Sequence, residues 1–104
     1  MQFTDTEKIA ILKNVDIIVN ADGVIHDKEK IFVLQLLNAF NLSIDYVAYK
    51  AKLMSLPMSA SIIKIMNSEK KEEAKNIIIA ASLADGNLDP TELGALLAMF
   101  DAFE

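Results

Sequence analysis

Ala21-Asp22-Gly23-Val24-Ile25-His26-Asp27-Lys28-Glu29 returns 63 residues later as Ala84-Asp85-Gly86-Asn87-Leu88-Asp89-Pro90-Thr91-Glu92. The copies share Ala-Asp-Gly, an aliphatic residue two places on, and a closing Glu. Agreement at five aligned places in a chain of 104 residues marks an internal repeat, and such a repeat is one supersecondary unit written twice. Each copy reads as the end of one helix, a turn through glycine, and the start of the next. Glycine takes the positive backbone angle just past a helix, while Asp89, Pro90 and Glu92 supply an N-cap, a first-turn proline and a reciprocal capping partner.

Outward from the two copies, the chain reads as all-α: a compact bundle of about six helices. Thr4-Asp5-Thr6-Glu7 is a capping box, after which Ile11, Leu12, Val15, Ile18 and Val19 recur at helical spacing up to Gly23. A second helix is predicted from Asp27 to Phe40, with Ile31, Leu34, Leu37 and Phe40 facing inward and Asn41 as a left-handed terminator. Ser43 caps a third, with Val47, Ala51 and Met54 inward. Pro57 is expected to break it, and Ser59 or Ser61 to begin a short fourth helix. The fifth starts at Ser68, and its segment Ile77 to Ala84, apolar all round, predicts the centre of the fold. Asp89 opens the last helix, which carries Leu93, Leu96, Leu97, Phe100 and Phe103. Met54, Met58 and Met66 read as core-fillers.

A 104-residue chain with 53% hydrophobic residues is expected to form a single globular domain over residues 1–104. The absence of cysteine excludes disulfides and thiolate chemistry. Residues 1–83 hold ten acids and ten lysines, so the net charge of −5 resides in the last 21 residues, which carry five acids and no base. With no arginine either, nucleic acid is not an expected partner, and a cation or a basic protein is. The apolar runs fall short of the roughly 20 residues of a membrane span, and no basic-then-apolar leader opens the chain, so a cytoplasmic protein without membrane insertion is expected. No phosphate loop or Ser-His-Asp arrangement is present, no small-molecule substrate is implied, and the chain is not expected to be an enzyme.

The motif itself admits two readings. In the first it only turns a corner: glycine bends the chain, Ile25 or Leu88 plugs the turn into the core, and Glu closes the cap. The first reading leaves Asp22 and Asp85 unexplained, because a carboxylate after a long helix meets an unfavourable dipole worth about 0.3–1 kcal/mol. In the second, a divalent cation offsets that cost. Asp22 with Glu29, and Asp85 with Glu92, offer oxygen ligands suited to Ca²⁺ or another divalent cation. The register coincides with the second half of an EF-hand loop but not the first, where Ile18 and Ala81 stand in place of the opening acid. With Asn20 and the Val24 and Asn87 carbonyls added, each copy still falls short of a full cage. His26, whose counterpart is Asp89, is expected in the exposed first loop and outside the metal set.

The paired Ala-Asp-Gly-x-aliphatic-x-x-x-Glu motifs, each joining two helices, resemble the TerB-like domain of tellurite-resistance proteins, similar also to a domain of some DnaJ-like co-chaperones. The resemblance spans residues 4 to 103. It implies an approximate internal two-fold repeat and a metal-binding acidic surface, carried here by Asp22, Glu29, Asp85 and Glu92. It further implies a role in a stress or tellurite-resistance type response, exercised through protein interaction and without an organic cofactor. The alternative is a structural interaction or homodimerisation domain whose C-terminal helix pairs with another chain, the apolar excess favouring self-association.

Overall fold

The first helix starts where the capping box predicts: Thr4 Oγ1 accepts from the Glu7 amide at 3.1 Å, and Glu7 Oε1 accepts from the Thr4 amide at 2.7 Å. In the computed structural model, which describes residues 2–21, 23–86 and 88–104, this box opens α1 (Asp5–Val19). There follow α2 (Asp27–Ala39), α3 (Ile44–Leu53), α4 (Leu56–Lys64), α5 (Ser68–Ser82) and α6 (Pro90–Ala102). The protein is all-helical, with no strand among the described residues. Short polar side chains cap four more helices by accepting the amide three residues on: Ser43 for α3, Ser55 for α4, Asn67 for α5 and Asp89 for α6. Asn41 takes the expected left-handed angle, φ 58°.

Pro57 does not interrupt a helix, as its sequence context suggested. Ser55 caps α4, and Pro57 sits in the first turn, where its missing amide proton has no intrahelical partner to lose.

The centre of the molecule is α1, and not the apolar end of α5. Helix α1 packs against α3, α4, α5 and α6 and buries Ile9, Ala10, Ile11, Leu12, Val15, Ile18 and Val19. Its buried polar residue, Asn14, is satisfied: Nδ2 donates to the Ala10 carbonyl at 2.8 Å and to Ser59 Oγ at 3.2 Å. Helix α5 buries only a narrow strip, Ala74, Ile78, Ala81 and Ser82, whose small side chains permit close approach, while Ala80 and Leu83 are exposed. Three of the eight residues from Ile77 to Ala84 are alanines, whose small apolar area makes exposure cheap, so the apolar run overstates burial. The inward face of α2 also differs from expectation. Leu36, Leu37 and Phe40 are buried, whereas Ile31 and Leu34 are exposed, because α2 has few neighbours and packs chiefly on α5. Met54 and Met66 fill the core as expected, and Met58 lies exposed. No single described helix is long and apolar enough to cross a membrane.

The spacing of the sequence motifs recurs in the helices. Helices α1 and α5 each have 15 residues and α2 and α6 each 13, with Asp5 and Ser68, and Asp27 and Pro90, 63 positions apart. Glu7 and Lys70, also 63 apart, meet directly, Nζ to Oε1 at 2.9 Å. Burial acts to raise the Glu7 pKa, but the Lys70 ammonium and the Thr4 amide and hydroxyl together outweigh it and hold the carboxyl below its ordinary value.

Candidate metal centre

Both corners bend through a glycine at the same place and cap the next helix in different ways. Helix α1 gives way at Asn20, whose Nδ2 turns back onto Asp16, and Gly23 (φ 81°) donates its amide to the Asn20 carbonyl at 2.9 Å. Helix α5 gives way at Leu83, and Gly86 (φ 85°) donates to the Leu83 carbonyl at the same distance. Three residues past each glycine comes the next N-cap, His26 or Asp89, and three further on a glutamate. Glu29 Oε1 accepts the His26 amide at 3.0 Å, while Asp89 Oδ1 accepts the Glu92 amide at 2.8 Å. Glu29 and Glu92 are 1% and 2% exposed. First-turn burial is the place on a helix where a carboxylate is best tolerated, because amides and dipole both favour negative charge there.

The aliphatic residues of the motifs do not plug the turns into the core as expected. Ile25 and Leu88 are 39% and 37% exposed, so the corners are held by backbone and capping bonds rather than by an apolar anchor.

Beyond the corners themselves, the fold brings parts of the two motifs together. His26 Nε2 lies 3.6 Å from Asp85 Oδ2, and one ligand atom each from His26, Glu29 and Asp85 falls within 4.8 Å of the other two. An imidazole and two carboxylates, drawn from both motifs, thus lie close together. Of the four acids singled out in the sequence, Glu29 and Asp85 belong to this group. Glu92 is buried at the start of α6 and is not one of the three. Asp22 and Asn87 lie outside the described residues.

The imidazole is the member of this group that the sequence does not single out as a ligand. His26 is exposed as expected, its side chain 44% accessible, yet it is directed at a carboxylate that is only 13% accessible. Its counterpart in the second copy is an aspartate, so repeat logic offered no signal for it. The one available clue is chemical: an imidazole stands where the aligned place of the other motif holds a carboxylate. Protonated His26 would also relieve the unfavourable position of Asp85 past α5, so an ion pair is the bland account of this geometry.

No model of a known protein family, no curated protein and no solved structure matches the chain. The likeness to TerB-like domains therefore rests on the two motifs alone.

Proposed function

We propose that this chain is a non-enzymatic helical module, similar to TerB-like domains, in which a divalent cation clamps one helix-loop-helix corner to the other. The supporting observation is the convergence of His26, Glu29 and Asp85, residues of two motifs far apart in sequence, with donor atoms inside 4.8 Å. A cation at that point joins the start of α2 to the end of α5, and its binding energy stabilises the relative placement of the two units. The module then serves a protein partner in a stress or tellurite-resistance type response, with the approximate two-fold repeat supplying two similar corners.

The test is a thermal melt of the whole chain in chelator and again with excess divalent ion. Saturation at about 100 times the dissociation constant adds roughly 2.7 kcal/mol, and in a domain of this size the midpoint rises by about 10 °C. Asp85→Asn removes most of that rise. Indifference to every divalent ion sinks the clamp.

A second reading, interaction or homodimerisation without an ion, is supported by separate residues. Ile44, Tyr49 and Leu53 of α3 and Leu93 and Leu97 of α6 are exposed, and α3 has no buried residue at all. The C-terminal helix has less to offer a partner than its sequence suggests, because Leu96, Met99 and Phe103 are already committed to the core. Light scattering over a concentration series, with Leu97→Lys and Leu53→Lys, separates a dimer that uses these faces from a monomer.

A further inference from the structure

We propose that the cation held at this point is a borderline transition metal of the Zn²⁺ class, selected by His26, and not Ca²⁺ or Mg²⁺. The proposal rests on the cation reading above and adds the class of ion and the ligand that chooses it.

Donor type is the first argument. Ca²⁺ and Mg²⁺ are hard ions that take oxygen, whereas an imidazole nitrogen suits zinc, copper, nickel and iron. Acidic corners alone would lead to an oxygen-liganded ion; a histidine directed into the same point does not fit that class. Donor number is the second. Three side chains, each offering one donor atom, converge among the described residues. Three protein ligands are the number that tetrahedral zinc takes when a water fills the fourth place.

Distance is the third argument. With metal–ligand bonds of about 2.1 Å, the 3.6 Å between His26 Nε2 and Asp85 Oδ2 subtends an angle of about 120° at the ion, close to tetrahedral. Two such bonds span at most about 4.2 Å and tetrahedral neighbours stand about 3.4 Å apart, so donors as far as 4.8 Å apart close by up to about 1.4 Å when the ion binds. His26 is the more exposed of the pair, its side chain 44% accessible against 13% for Asp85. Glu29 is already oriented, since its Oε1 is held by the His26 amide at 3.0 Å, the kind of outer bond that fixes a ligand and tunes its metal.

The experiment uses the full chain stripped with chelator and titrated separately with Zn²⁺, Co²⁺, Ca²⁺ and Mg²⁺, followed by calorimetry and, for Co²⁺, by visible absorption. The expected result is one Zn²⁺ or Co²⁺ per chain, with the intense visible bands of low-coordinate Co²⁺. Ca²⁺ and Mg²⁺ bind far more weakly. His26→Asn weakens Zn²⁺ binding by more than about tenfold, the loss that even an outer-shell partner's removal brings, while its circular-dichroism spectrum in chelator keeps the helical signal of the parent chain. Ca²⁺ binding as tightly as Zn²⁺, a weak octahedral Co²⁺ spectrum, or unchanged Zn²⁺ affinity in His26→Asn overturns the ion class and leaves the clamp standing. Binding of none of the four ions overturns both.

Discussion

Glu29 carries a cap bond and is also a ligand of the proposed cation, and paired substitutions separate the two roles. Its side chain is 1% exposed and accepts the amide of His26 at 3.0 Å. Glu29→Ala deletes the acceptor, strands a partly buried amide and leaves a void. The lost cap bond and the amide left without its acceptor are one event, worth about 1–3 kcal/mol and expected even in chelator. At about 4 °C per kcal/mol for a domain this long, the midpoint falls by roughly 4–12 °C. Glu29→Gln keeps an oxygen in the same place and removes only the charge. In chelator it is expected to melt within about 1 kcal/mol of the parent, since burying a neutral amide is easier than burying a carboxylate. With saturating ion the parent gains about 2.7 kcal/mol, and Glu29→Gln gains little. Circular dichroism melts of the three proteins, each with and without ion, provide all the numbers. A full ion response in Glu29→Gln refutes the ligand role, and an unchanged chelator melt in Glu29→Ala refutes the cap.

The same glycine substitution is expected to have opposite signs at two sites: Gly86→Ala, at φ 85° with nothing within 4 Å of the added methyl, costs about 1–2 kcal/mol in backbone strain alone. Gly94→Ala, inside α6 and equally unobstructed, stabilises by about 0.8–1 kcal/mol; denaturant midpoints of the two variants check both signs. Phe103→Ala, at a fully buried position, is expected to cost about 3–5 kcal/mol, and a chemical melt near that of the parent would show that the C-terminal turn is not part of the core. Because Glu7 titrates below its ordinary value of 4.5, its pairing with Lys70 stabilises the fold at pH above that value and is lost as pH falls through the lowered folded value. Lys70→Met therefore flattens the loss of stability in that acid window, measured by denaturant titration at stepped pH. If the acid limb is unchanged, another carboxylate governs it.

The all-helical class, the six segments and most of their starting points were readable from the chain, because caps and glycine turns act between residues three or four apart. Thr4 with Glu7, Ser43, Asp89, Asn41 and both motif glycines behave as their local chemistry requires. The misreadings share one cause. Pro57 was weighed without knowing that Ser55 caps the helix around it, Ile31 and Leu34 without knowing that α2 is sparsely covered, and the run from Ile77 to Ala84 without knowing that α1 already fills the centre. Hydrophobic spacing shows that a helix has an apolar face, but the neighbours available to cover it depend on every other helix.

The site divides in the same way. The glycine bends, and the glutamates three residues past each N-cap, are legible in the chain, since these are contacts within one turn. The meeting of His26 of the first corner with Asp85 of the second, 59 residues away, is not. That contact follows from how α2 and α5 pack, and no local propensity encodes the direction in which a loop side chain will find its partner.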